Sequence, residues 1–292
     1  MRISRTEPYP SAAAAVRGAA LCAAGLVVTG LLAYESPVFK AHDAATLQGF
    51  EGLARPRLTP ALDRIAHLAD PAPFALIGLA LIIVAIARGR ARVGLAIAIV
   101  LPAAAVTTES LKHVLAHPRL AEWLGADQIG AASWPSGHAT AAMALALCGV
   151  IAVPGRFRPL AATVGGLFAI AVSYAILALG WHFPSDVIGG FFVAGMWTAL
   201  AVAAVRAADA RWRPARRETA APSPRRGTVV GAVPALIVAG VGALALAVAI
   251  AVGRPHAIAT YASDHPSFML GAAAIAALAA LLAAVALTDR TS

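Results

Sequence analysis

The stretch WPSGHATAAMALALCGVIAVP, residues 134–154, predicts the fold because a short polar sequence directly precedes a long apolar one. The whole stretch contains no Asp, Glu, Lys or Arg. A helix of about 20 apolar residues spans the hydrocarbon core of a bilayer. We therefore predict a membrane helix with WPSGH (Trp134 to His138) at its mouth. Because ionisable groups at membrane depth are costly, His138 is a candidate functional residue.

The rest of the 292-residue chain has the same character. It is 60% hydrophobic and only 13% charged, with a mean hydropathy of +0.78, whereas soluble domains average about 25% charged residues. This composition predicts an all-α polytopic membrane protein and excludes an ordinary soluble domain. Eight apolar stretches are predicted to span the membrane: 18–34, 71–87, 93–110, 135–155, 159–181, 187–205, 228–253 and 267–288.

The net charge of +9 reflects topology rather than nucleic-acid binding. With a cytoplasmic N-terminus and single crossings, sixteen arginines and four acidic residues fall inside, against seven basic and ten acidic residues outside. Cytoplasmic loops of membrane proteins carry such an excess of Lys and Arg. We therefore expect both termini in the cytoplasm, contacts with membrane lipids and no nucleic-acid partner.

The linker at 207–227 is rich in Arg, Pro and Ala, a composition that predicts a domain boundary. It separates a six-helix membrane core, residues 1–206, from a two-helix membrane appendage, residues 228–292. Residues 35–70 are expected to form an outer interfacial loop with one short surface helix near 61–68.

Three polar pieces follow or precede helices on the predicted outer side: Lys112 with Arg119, WPSGH, and HFPSD (His182 to Asp186). His182 and Asp186 are four residues apart, so the carboxylate can fix one ring nitrogen and leave the other free for nucleophilic attack. His138 is the natural acid to protonate a leaving oxygen.

A phosphoryl group between these histidines needs hydrogen-bond donors and positive charge. The predicted helix start at Gly137 supplies free backbone N–H groups, and Ser136 adds a hydroxyl. Lys112 and Arg119 can neutralise the equatorial oxygens of the phosphoryl group.

The motifs K-x6-R (Lys112, Arg119), PSGH (Pro135 to His138) and H-x3-D (His182, Asp186) resemble, in this order, the three signature motifs of the type-2 phosphatidic acid phosphatase family. The resemblance covers roughly residues 60–206. It implies His182 as nucleophile, Asp186 as its orienter and His138 as general acid. It also implies that Lys112, Arg119, Ser136 and Gly137 hold the phosphate.

The resemblance implies a membrane phosphatase that acts without a metal or other cofactor through a phosphohistidine intermediate. Its substrate would be a lipid phosphate monoester or a polyprenyl pyrophosphate, hydrolysed at the extracytoplasmic face of what we expect to be a bacterial plasma membrane. A lipid phosphotransferase differs only in the acceptor. If the protein is not an enzyme, the alternative is a non-catalytic lipid-phosphate-binding or transport protein.

Two positions depart from the family pattern. Leu120 stands where the family usually has proline, and Ile176, preceded by Ala175, stands where it usually has arginine. His117, Arg254 or His256 could supply the missing positive charge. Glu109, His113 and His117 are spaced at four-residue steps and could hold a metal, although a hydrogen-bonded arrangement is the more common one.

Overall fold

The computed structural model describes residues 11–116, 129–212, 237 and 258–287, and its regular elements in these ranges are helices. The predicted all-α membrane fold is confirmed. The α-helices of these ranges, in chain order, are α1 (Ala12–Glu35), α2 (Pro37–Glu51), α3 (Thr59–Ala66), α4 (Pro71–Ala87), α5 (Ala91–Val114), α6 (Gly137–Ala152), α7 (Arg158–Ala178), α8 (Pro184–Trp212), α9 (Ile258–Asp264) and α10 (Pro266–Val285).

Seven of the eight predicted spans coincide with helices, and the eighth, 228–253, lies outside the described residues except for residue 237. Within the described residues, five helical segments are long and apolar enough to cross a membrane, and there are six if the bent pair Thr59–Ala69 with Pro71–Ala87 is one span. Helix α6 has only 16 residues, because Ser136 caps its start and Pro154 follows its end. It is therefore shorter than the predicted span 135–155.

The outward faces of the long helices are apolar, as lipid contact requires. Leu21, Leu76 and Leu95 are each more than 60% exposed. Inside the bundle, α8 packs against α1, α5 and α6, while α6 also packs against α7. The first residues of α6 and α8 are brought together by this arrangement.

The expectation of a single short helix in 35–70 was wrong, because this segment contains both α2 and α3. Ser36 accepts a hydrogen bond from Phe39 N, and Pro37 occupies the first turn, where proline is well tolerated. Helix α2 mixes polar and apolar residues, so a search for apolar stretches does not detect it. Its buried face includes Asp43, Leu47 and Phe50.

The described part of the predicted C-terminal appendage packs into the core. Helix α10 contacts α2, α7 and α8, and Tyr174 Oη donates to Ala272 O at 2.8 Å. Helix α8 continues to Trp212, past the predicted end of the core at residue 206. The linker at 207–227 extends beyond the described residues, so the domain division stays a prediction.

The two ends of the bundle differ in charge. At one end, Arg90 Nη1 donates to Ile151 O at 2.8 Å, and Arg92 pairs with Asp209. At the other end, the predicted catalytic histidines meet acidic residues. Lys112, WPSGH and HFPSD belong to helix ends on this second side, whereas Arg119 lies outside the described residues.

Candidate active site

The segment before α8 holds the predicted nucleophile. Helix α7 ends at Ala178 and is followed by Gly180, whose φ of 71° is the left-handed conformation that glycine tolerates. Trp181 N then donates to Ile176 O at 2.9 Å, which completes a Schellman motif and directs the chain into His182. The first turn of α8 starts two residues later, at Pro184.

Asp186 lies in that first turn and contacts His182. The distance from Asp186 Oδ2 to His182 Nδ1 is 3.3 Å, and the same oxygen accepts from Phe183 N at 3.0 Å. Asp186 is fully buried, while 12% of the His182 side chain is exposed. This geometry leaves His182 Nε2 as the ring nitrogen that Asp186 does not engage.

The start of α6 is joined to the start of α8. Ser136 N donates to Asp186 O at 2.9 Å, and Ser136 Oγ accepts from Ala139 N at 3.3 Å. The peptide bond between Trp134 and Pro135 is cis. Ser136 is fully buried, and its hydroxyl oxygen caps the start of α6.

His138 faces His182 across the mouth of the bundle. Their ring centroids are 6.4 Å apart, and the His138 ring also lies 5.6 Å from that of Trp181. His138 Nε2 lies 3.1 Å from Asp70 Oδ1, at the residue that precedes α4. Trp181 lies between His138 and His67, whose ring centroid is also 5.6 Å from that of Trp181.

Lys112 reaches the start of α6 from the last turn of α5. Its Nζ lies 2.8 Å from Glu109 Oε1, and a Cβ built on Gly137 would lie 3.3 Å from Nζ. The ammonium group is therefore beside the backbone at which a phosphate is predicted to bind. Arg119, the other basic residue predicted to hold the phosphate, lies outside the described residues.

Two of the three alternative metal ligands, Glu109 and His113, make contacts within their own helix. Glu109 pairs with Lys112, and His113 Nδ1 lies 2.7 Å from Glu109 O. His117 lies outside the described residues, as do Arg254 and His256. Across 11–116, 129–212 and 258–287, no three His, Cys, Asp or Glu side chains are arranged to hold a metal.

Ile176 is fully buried in the apolar core of the bundle. A position that usually carries arginine in the resembling family is therefore part of the hydrophobic packing here. Lys112 is the cation that lies beside Gly137 among the described residues.

Two acidic residues near the site are not marked by any sequence motif. Asp70 contacts His138, and Asp43 contacts Ser185 in the first turn of α8. Neither belongs to a recognisable motif. The one available signal for Asp70 was its place before Pro71 at a predicted helix start, on the same side as the three polar pieces.

Residues 74–210 match the family model described as the PAP2 superfamily. This match supports the type-2 phosphatidic acid phosphatase family that the motifs resemble. The fold is also similar to the crystal structure described as the first transmembrane PAP2 type phosphatidylglycerolphosphate phosphatase from Bacillus subtilis. The identity is 20% and the TM-score 0.53, over 68% of this chain and 99% of that one. No curated protein matches the chain.

The family and the membrane fold support a lipid phosphatase in general terms, and the predicted family resemblance is confirmed. The matched residues contain α5, α6, α7 and most of α4 and α8. Helices α2, α3 and α10, together with Asp70, lie outside them.

Proposed function

We propose that the protein is a membrane phosphatase that hydrolyses lipid phosphate monoesters or pyrophosphates at the extracytoplasmic face. The reaction proceeds through a phosphohistidine on His182. The observation that carries this proposal is the contact of His182 with buried Asp186, with His138 6.4 Å away across the same mouth.

In the first step, His182 Nε2 attacks phosphorus and the bond from phosphorus to the lipid oxygen breaks. Asp186 accepts the hydrogen bond from His182 Nδ1–H and stabilises the positive charge that develops on the ring. Protonated His138 donates its proton to the leaving oxygen. The products are a phosphorylated His182, the dephosphorylated lipid and neutral His138.

In the second step, water attacks the phosphohistidine and the bond between phosphorus and Nε2 breaks. Neutral His138 accepts the proton from that water, so both histidines return to their starting states when phosphate leaves. Lys112, Arg119, Ser136 and the backbone at Gly137 hold the phosphoryl oxygens during both steps. These residues neutralise the phosphoryl charge without a metal.

The proposed orientation follows from the distribution of arginine. The end of the bundle that contains Arg90 and Arg92 faces the cytoplasm under the positive-inside rule. The histidines at the opposite end then face outward. Lipid phosphates of the outer leaflet are within reach of this mouth.

The test is phosphate release from a panel of lipid phosphates and pyrophosphates by protein purified in detergent with EDTA present. We expect wild type to release phosphate and His182→Ala to release none. Labelled phosphate should remain on wild-type protein after an alkaline quench, because the phosphorus–nitrogen bond of phosphohistidine is labile in acid. Loss of activity with EDTA alone would overturn the metal-free mechanism.

Buried Ile176 favours a second candidate, a protein that binds lipid phosphates without turnover. Ile176→Arg is a poor test, because it would bury a cation in an apolar core. Direct binding is better: saturable binding of a lipid phosphate with no phosphate release from any lipid would support this candidate. Incorporation of oxygen from labelled water into phosphate separates hydrolysis from transfer to another lipid.

A further inference from the structure

Helix α2 contacts the first turn of α8, although it lies outside the residues that match the family. Asp43 in α2 is only 6% exposed. Its Oδ1 accepts from Ser185 N at 2.9 Å, and its Oδ2 accepts from Ser185 Oγ at 2.6 Å. Hydrogen bonds to a carboxylate are about twice as strong as those between neutral groups.

Ser185 is the residue between Pro184 and Asp186, so Asp43 fixes the backbone that carries Asp186. Asp186 binds Phe183 N, and Asp43 binds Ser185 N. Two buried carboxylates thus accept hydrogen bonds from N–H groups at one helix N-terminus, where the helix dipole favours negative charge. A displacement of Ser185 would change the orientation of the Asp186 carboxylate relative to His182.

Helix α2 is in turn held by the C-terminal helices. Thr46 Oγ1 donates to Ser267 O at 2.9 Å, and Tyr261 Oη donates to Gly49 O at 2.6 Å. A Cβ built on Gly271 in α10 would lie 2.4 Å from Thr46 Cγ2, so the two helices are in close contact. Contacts therefore run from α10 through α2 to the first turn of α8.

We propose that Asp43 is a positioning residue for the pair of His182 and Asp186, and that α10 sets its position through α2. The catalytic consequence rests on the proposed phosphatase function. Asp43 itself does not touch the substrate. It holds Ser185, and through Ser185 it holds the carboxylate that orients the nucleophile.

The first test compares Asp43→Ala with Asp43→Asn, which retains an amide able to bond both Ser185 groups. The rate is expressed per phosphorylatable site, so that misfolded protein does not contribute. Asp43→Ala should lower this rate about 100-fold, since small displacements of reacting groups have effects of this size. Asp43→Asn should stay within about tenfold of wild type, because a neutral partner weakens the hydrogen bonds without removing them.

The loss should be the same for a lipid phosphate and for p-nitrophenyl phosphate, because the nucleophile acts on both. Thr198→Val is the matched control, since the buried hydroxyl of Thr198 donates to Ala194 O in its own helix. It should keep the wild-type rate. A wild-type rate per site in Asp43→Ala, with only fewer sites, would reduce Asp43 to a folding role and overturn the proposal.

The second test examines the connection to α10. Gly271→Ala should lower the rate per site in wild type but add little in the Asp43→Ala background, because both changes act on one contact path. Gly149→Ala is the control, since a Cβ at Gly149 meets no atom within 4 Å. Fully additive effects of Gly271→Ala and Asp43→Ala would overturn the role of α10.

A readout without turnover separates this proposal from the phosphatase function. The ¹⁵N resonances of His182, assigned by their loss in His182→Gln, report which ring nitrogen carries the proton. Wild type and Asp43→Asn should show the Nδ1–H tautomer, and Asp43→Ala a mixture. If wild type releases no phosphate, the phosphatase proposal fails, while identical spectra in wild type and Asp43→Ala would overturn positioning by Asp43.

Discussion

The helices that match the family and the helices that flank them contribute different things to the site. The matched part supplies Lys112, His138, His182 and Asp186, all from helix ends that carry recognisable motifs. The flanking part supplies Asp70 and Asp43, two carboxylates that contact the residues beside or within those motifs. The motifs contain the groups that are proposed to contact phosphate. Packing and buried hydrogen bonds from helices outside the motifs hold those groups in place.

The largest loss among the substitutions that test this comparison is expected at Lys112. Its Nζ lies beside Gly137, where phosphate is proposed to bind. Removing one donor from a site of developing negative charge typically costs about 10²- to 10³-fold in turnover. We expect Lys112→Ala to lose kcat by this factor, measured as phosphate release.

Lys40, the other lysine of the chain, provides the matched control. Lys40→Ala should leave kcat unchanged, because Lys40 lies in α2 and belongs to no motif. Equal activity in Lys112→Ala and wild type would show that the phosphate binds elsewhere.

The next largest effect is expected from Gly190→Ala in the matched part. A Cβ on Gly190 would lie 2.8 Å from Ser136 O, a backbone atom that cannot turn away as a side chain can. The starts of α6 and α8 must then separate, which moves His138 relative to His182. We expect kcat to fall about 100-fold.

Gly149→Ala makes the same chemical change in α6 with open space around it. It should retain wild-type kcat and, since alanine is the better helix former, gain up to about 1 kcal/mol of stability. If Gly190→Ala and Gly149→Ala behave alike, close approach of α6 and α8 is not required for activity.

The sequence predicted the matched part well because its signals are local. Apolar stretches mark helices, and PSGH and H-x3-D fall in or just before first turns. The contact of Asp186 with His182 follows from a spacing of four residues. The sequence did not reveal that Ser136 is used as a helix cap, since a serine before a helix can equally face a ligand.

The flanking part could not be predicted because its contacts are distant in sequence. Asp43 and Ser185 are 142 residues apart, and Asp70 and His138 are 68 apart. Neither pair leaves a periodic pattern. Helix α2 escaped detection for a related reason: its buried face is covered by α10, more than 200 residues later, so its amphipathic sequence resembles an interfacial loop.

Asp70→Asn is expected to have a smaller effect with a distinctive substrate dependence. Asp70 Oδ1 lies 3.1 Å from His138 Nε2, so the variant weakens the support of the proposed general acid. A general acid matters most for a poor leaving group. We expect about a tenfold loss with a lipid monoester and little loss with p-nitrophenyl phosphate, whose leaving group needs no proton.

The same comparison for Asp43→Ala should show equal losses with both substrates, so the two flanking carboxylates are distinguishable. Equal losses for Asp70→Asn on the two substrates would contradict its action through His138. His138→Ala serves as the reference, because it should show the same dependence on the leaving group with larger losses.

The smallest effect on turnover is expected from Phe268→Ala, which removes packing between α10 and α2. Phe268 is fully buried, and its ring lies 4.8 Å from that of Phe50 and 5.9 Å from that of Tyr261. Truncating a buried phenylalanine typically costs about 3–5 kcal/mol, because the cavity only partly collapses. The thermal unfolding temperature in detergent should fall accordingly. Since the hydrogen bonds of Thr46 and Tyr261 to the facing helix remain, kcat per folded molecule should fall by only a few-fold.

Phe157, which is 44% exposed, supplies the control, and Phe157→Ala should change neither quantity. An unchanged unfolding temperature in Phe268→Ala would mean that α10 does not stabilise α2. A loss of kcat as large as that of Gly190→Ala would remove the distinction between the matched and the flanking helices. A flanking contact would then matter as much for turnover as the contact between the two motif-bearing helices. The expected outcome lies between these, because Phe268 packs against α2, which carries no motif, whereas Gly190 contacts the start of α6 beside the proposed catalytic histidines.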